Sequence, residues 1–147
     1  MTPVAVFSLQ SGHLRHDGRE TGLRVSAALL EAQFRLPSGL FLLFLTDDCP
    51  YEERLQILLL DARFQLLDGL SVGWIYTPGI LSGLEPLGPH ALRFDFFTDR
   101  PLRVSVHPEG RFRLFRRLPF FARPLARRPF ARHYLELQAF EGRASFK

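Results

Sequence analysis

The most distinctive chemistry in this 147-residue chain is cationic. Arg111, Arg113, Arg116, Arg117, Arg123, Arg127, Arg128 and Arg132 fall within 22 residues that hold no acid, and Phe112, Phe115, Phe120, Phe121 and Phe130 are set among them. Guanidinium groups neutralise phosphate or carboxylate, and phenyl rings stack on bases or fill apolar pockets. Arginine and aromatic side chains also concentrate at the energetic centres of protein interfaces. Partner contact is therefore expected at Arg116, Arg117, Phe120, Phe121, Arg123, Arg127, Arg128, Phe130 and Arg132. A protein partner or a second copy of the chain is the first expectation. Nucleic acid is the second, although no ribonucleoprotein string, zinc knuckle or helix-turn-helix accompanies the arginines. An anionic membrane surface is the third, and Pro119, Pro124 and Pro129 oppose the amphipathic helix it would use.

Other motifs promise less. Gly69-Leu70-Ser71-Val72-Gly73 has the spacing of a nucleophile elbow, and Asp95 or Asp99 and then His107 follow in the order of an α/β-hydrolase. That chemistry needs a strand, a sharp turn and a helix, whereas residues 74–79 read as strand and turn, so no catalytic residue is assigned. His13 and His16 beside Asp17 invite a metal, yet residues three apart on a strand point to opposite faces. Asp47, Asp48, Glu52 and Glu53 lack the alternating spacing and central glycine of a calcium loop. His90, His107 and His133 share no unifying spacing. Cys49 follows two aspartates, and negative neighbours disfavour the reactive thiolate. No metal and no cofactor is expected.

One cysteine cannot close an internal disulfide, which suits a reducing cytoplasm. Residues 1–10 lack the basic start and apolar run of a signal peptide. The longest apolar runs, 40–45 and 57–60, fall far short of the ~20 residues of a membrane-spanning helix. A soluble, cytoplasmic protein is expected. Lysine occurs once, at Lys147, beside eighteen arginines, which reads as a coding bias. The charge is asymmetric: residues 1–99 carry seven arginines against twelve acids, and residues 100–147 carry eleven arginines and one lysine against three acids. The basic end can therefore cover an acidic surface of its own domain or recruit an acidic partner.

The elements that must position these residues read as β-structure. Residues 4–9 alternate as a short strand apolar on both faces. Asp17-Gly18 is a favoured hairpin pair because both positions need positive φ. Residues 23–36 read as one long strand with a bulge, in preference to a short helix over 27–34. Residues 40–45 are a core strand, 54–60 and 64–67 are apolar strands around 61–63, and Asp68-Gly69 reads as a second turn before a strand over 70–76. Segments 81–87, 92–96, 102–106 and 111–115 follow, with Pro108-Glu109-Gly110 as a turn between the last two. Beyond residue 118 the prolines recur every five residues and favour an extended path, closed by a strand over 134–140.

The fold expected is all-β: an antiparallel β-sandwich or barrel of hairpins with a basic Pro/Arg/Phe-rich C-terminal segment. Residues 1–117 would form the β domain, and 118–147 an extension packing on it or on a second subunit. The function expected is a small, non-catalytic binding or assembly module acting through protein–protein contact. A nucleic-acid-binding protein is the first alternative, and a carrier or enzyme with an apolar pocket inside the β domain is the second.

Overall fold

A computed structural model describes residues 1–47, 53–74, 79–98, 100–112, 116–125 and 132–139. Every element among them is a strand, and every pairing is antiparallel. In chain order they are β1 (Thr2–Pro3), β2 (Phe7–Gln10), β3 (His13–His16), β4 (Arg19–Arg24), β5 (Leu29–Arg35), β6 (Phe41–Thr46), β7 (Leu55–Leu60), β8 (Leu66–Val72), β9 (Ser82–Pro86), β10 (Ala91–Asp95), β11 (Leu102–Phe112), β12 (Ala122–Pro124) and β13 (Arg132–Ala139). They form a six-stranded sheet in the order β1-β5-β6-β7-β8-β12, a four-stranded sheet β13-β11-β10-β9, and a three-stranded sheet β2-β3-β4.

The six-stranded sheet lies between the other two, and β6 and β7 show why. Leu42, Phe44, Leu55, Ile57 and Leu59 point into one core with Leu92, Phe94, Leu102, Val104, Val106, Leu135 and Leu137 of the four-stranded sheet. Their neighbours Leu43, Leu45, Leu58 and Leu60 point the opposite way, into a smaller core with Phe7, Leu14 and Ala27. Successive side chains on a strand alternate faces, so a strand covered on both sides is apolar on both, and its buried polar residues, Thr46 and Gln56, are hydrogen-bonded to Glu31 and Ser26. The unbroken leucine-rich runs thus follow from the layering, and each fully buried side chain contributes roughly 1.5–3 kcal/mol relative to exposure.

The Asp17-Gly18 hairpin is present, with φ of 49° and 78° at its two residues. Four other expectations need correction. Residues 4–9 are not one strand, because 4–6 lie outside any strand and link β1 of the large sheet to β2 of the small one, which begins at Phe7. Residues 23–36 are likewise two strands: between β4 and β5 the Val25 N–H donates to Gly12 O and the Ala28 N–H to Thr46 O, which carries the chain from one sheet to the other. Asp68-Gly69 is not a turn but lies inside β8. Pro108-Glu109-Gly110 lies inside β11, where the register against β13 shifts between Val106 and Arg111. Gly110 has a φ of 76°, and a side chain there would also press on Arg132 and the Tyr134 ring. The chain bulges at this point instead of reversing.

The acidic loop at 48–52 with Cys49, and Asp99, lie outside the described residues. Among the described residues no helix is long and apolar enough to cross a membrane.

Candidate functional site

The segment 116–125 decides what the described part of the basic end can do, because Arg116 and Phe121 are committed to the interior and Phe120 is not. Arg116 Nη2 donates to Asp68 Oδ1 at 2.9 Å and to Oδ2 at 2.8 Å, and Arg116 Nε donates to His133 Nδ1 at 2.9 Å. Asp68 also accepts from the backbone N–H groups of Gly69, Tyr134 and Leu135, at 2.8, 2.9 and 2.9 Å. Its side chain is only 8% exposed, and that of Arg116 only 11%. A buried carboxylate is tolerable only when charge and hydrogen bonds replace its water, and these four partners do so. Asp68 sits on β8 of the large sheet while Tyr134 and Leu135 sit on β13 of the four-stranded sheet, so this one carboxylate ties the two layers together. Here a basic residue from the C-terminal part pairs with an acid from the first part.

Residues 119–125 are pinned to the free edge of β8. The Ala122 N–H closes a tight turn onto Pro119 O, the Gly73 N–H donates to Phe121 O, and the Leu125 N–H donates to Gly69 O. β12 pairs Ala122, Arg123 and Pro124 with Val72, Ser71 and Leu70. Gly69 serves this docking, since a Cβ there would lie 2.7 Å from the end of the Leu125 side chain.

Phe121 enters the larger core and stands edge-on to Phe97, with ring centroids 5.3 Å apart. It anchors the segment and presents little surface. Phe120 points the other way: it is 75% exposed and meets Trp74, itself 44% exposed, edge to face at 5.1 Å. Arg123 is exposed on β12 beside this pair. A small cavity of about 50 Å³, lined by Arg54, Ser71, Gly73, Trp74, Phe121 and Arg123, opens here. That volume suits water more than a substrate. Ser71 lies near the end of β8, opposite Gln56 on β7, and among the described residues no helix follows it as a nucleophile elbow requires.

Arg117 is exposed and Arg132 starts β13, where its Nη1 donates to Glu109 O at 3.1 Å. Arg127, Arg128 and Phe130 lie outside the described residues. A cleft of about 340 Å³ separates Arg116, Arg117, Leu118 and Pro119 from residues 135–139 of β13, with His107, Arg111 and His133 also on its walls. Arg111 Nη1 and His107 Nε2 lie 3.4 and 3.2 Å from Glu136 Oε1.

The two N-terminal histidines are dispersed as their spacing implies. His13 Nδ1 meets Glu20 Oε1 at 3.1 Å, while His16 stacks on Phe64 at 4.3 Å. Among the described residues no group of three or more His, Cys, Asp or Glu converges to hold a metal ion. Burial raises the pKa of Asp47 above its ordinary 3.8, and the charge of Arg54 opposes that rise.

Sequence reasoning missed Trp74, Asp68 and Gln33. Trp74 carried a signal, being the single tryptophan and a residue type common at hot spots. Asp68 was hidden inside a turn-like dipeptide. Gln33 has no local signature: its Oε1 accepts from the Val6 and Phe7 N–H groups at 3.0 and 2.8 Å, and its Nε2 donates to Phe7 O at 2.9 Å. It acts as a strand neighbour for β2 and joins the small sheet to the large one. Comparison of the chain with protein-family models, curated proteins and solved structures finds no match.

Proposed function

We propose that the chain is a non-catalytic binding or assembly module that works through protein–protein contact at the surface built by residues 116–125. The observation that carries this reading is the Trp74–Phe120 pair, two large aromatic rings held edge to face in the open while the adjacent Phe121 fixes their backbone in the core. Rings held in place lose little conformational freedom on binding, and arginine beside them matches the composition of interface centres. Arg123 supplies that neighbour. A cytoplasmic setting suits a chain with one cysteine.

The nucleic-acid reading loses support because Arg116 is taken by Asp68 and Phe121 by the core, which removes one phosphate contact and one stacking platform from its inventory. The carrier reading loses support because Phe44, Leu42 and Ile57 fill the space between the layers.

The test is a photo-crosslinking amino acid placed at the neighbouring Arg123 in living cells, together with sedimentation velocity of the purified chain over a wide concentration range. A discrete crosslinked adduct, or concentration-dependent association, that disappears in Phe120→Ala and Trp74→Ala is the expected result. Association and adducts unchanged by both substitutions would remove the proposal. A salt titration against single-stranded RNA separates the rival, since binding by several arginines weakens steeply with salt.

A further inference from the structure

The cleft beside β13 follows the edge of a strand. Five consecutive residues, 135–139, line it, which requires the cleft to run along the strand rather than over one face. β13 ends the four-stranded sheet, and among the described residues no strand pairs with its outer side.

The hydrogen-bond phase identifies which backbone groups face the cleft. In an antiparallel pair, residues whose N–H and C=O point to the partner alternate with residues whose groups point away. The Leu135 N–H reaches Asp68 Oδ2, away from β11, so Leu135, Leu137 and Ala139 face outward. β11 agrees independently. The Val106 N–H donates to His90 O on the β10 side, which leaves Ser105 and Arg103 to bond Glu136 and Gln138 across the ladder. The Leu135 N–H is occupied by Asp68, whereas the N–H and C=O of Leu137 and Ala139 have no partner among the described residues.

The opposite wall is Leu118 and Pro119, with Arg116 and Arg117 leading into it. Nη1 of Arg116 is buried and has no hydrogen-bond partner, although Nη2 is fully engaged by Asp68. Arg117 is exposed and has no ionic partner among the described residues. The groove therefore combines a strand edge unpaired among the described residues, apolar walls and the exposed guanidinium of Arg117. Extended peptides bind such edges by adding a strand, with the main chain supplying affinity and the side chains selectivity. A second copy of this chain fits poorly, because a twin would bring its own arginines against those of the groove.

We infer that the outer edge of β13 receives an extended acidic segment of a partner protein as an added strand, its backbone pairing with Leu137 and Ala139 and its carboxylates meeting the exposed Arg117. This groove is separate from the Trp74–Phe120 pair, and either site can fail without the other.

The probe is a short fluorescein-labelled peptide of alternating glutamate and valine, titrated against the full chain by anisotropy. Its companions are a glutamine-for-glutamate analogue, a copy N-methylated at alternate residues, and a short oligouridylate. Saturable binding is expected, weakened about tenfold or more by each peptide change and by Arg117→Glu or Ala139→Pro. Proline at an outward-facing edge position removes the pairing N–H without removing a ladder bond, so Ala139→Pro retains the sheet. On wild-type protein, saturating peptide should slow hydrogen exchange at the Leu137 and Ala139 amides, which keeps the test decisive even if Ala139→Pro misfolds. Phe120→Ala should keep full peptide affinity.

Equal binding of the N-methylated copy, unchanged exchange at both amides, tighter binding of oligouridylate than of the acidic peptide, or no saturable binding would each overturn the inference.

Discussion

Arg116 and Phe120 are four residues apart and have opposite fates. Arg116 is drawn into the seam between two sheets, where Asp68, His133 and the β13 backbone occupy most of its surroundings. Phe120 stands in solvent against Trp74. Both residues belong to a run that composition alone marks as uniformly basic and aromatic. Charge and ring content identify a segment able to bind something; burial decides which members have already been used by the fold.

The comparison breaks most visibly at the seam. Asp68→Ala leaves Arg116 buried without its counter-charge and strips the acceptor from Tyr134 and Leu135, so a loss of about 3–5 kcal/mol in urea denaturation is expected. Asp68→Ala combined with Arg116→Met should be less damaging than the sum of the two single changes by about 1–3 kcal/mol, as a double-mutant cycle would show. Additive losses would mean that the pair is not a unit.

At the open end the pattern reverses. Phe120→Ala should change unfolding free energy by no more than about 0.5 kcal/mol while reducing partner affinity by at least about tenfold. Trp74→Ala should reproduce the binding loss. Arg117→Glu should likewise leave the thermal midpoint nearly unchanged and act on ligand binding alone.

The smallest effect is expected at Asp47. Its raised pKa arises chiefly from burial, with Arg54 pulling the other way, so the folded state holds the proton to higher pH than the unfolded chain. Stability from this group is therefore present at low pH and declines as pH rises from about 4 through the folded value. Asp47→Asn, uncharged throughout, should match wild type at pH near 3 and gain a small advantage by pH 7. Thermal melts of both proteins across that range check the sign.

The same dipeptide shows how far local reading reaches. Asp17-Gly18 and Asp68-Gly69 are indistinguishable as text, yet one is a hairpin tip and the other lies within a buried strand. At Asp17 the left-handed backbone is available, and the carboxylate meets only its neighbour, His16 Nδ1 at 3.5 Å, with no claim on it from a distant strand among the described residues. At Asp68 the N–H groups of residues 66 and 67 positions further along claim it, and a turn there would forfeit those bonds. Pro108-Glu109-Gly110 has the text of a turn and forms a bulge for a related reason: β13 approaches from a distant part of the chain and holds both ends of the bulge in one strand. Phe120 and Phe121 are inseparable in sequence because both sit at the centre of one tight turn, with their rings in edge contact, and only the sheet beneath says which one is inside.

Alternation of apolar and polar side chains, turn-forming pairs and the lack of helical periodicity were enough to specify an antiparallel all-β protein, since these act through φ, ψ and neighbouring residues. The two-faced leucine strands also announced themselves as interior. Which strand lies beside which, which acid meets which arginine and which edge stays unpaired depend on groups that are distant along the chain and meet only when the layers close. The surface proposed to meet a partner is what remains after those meetings, so folding, and not residue type, determines it.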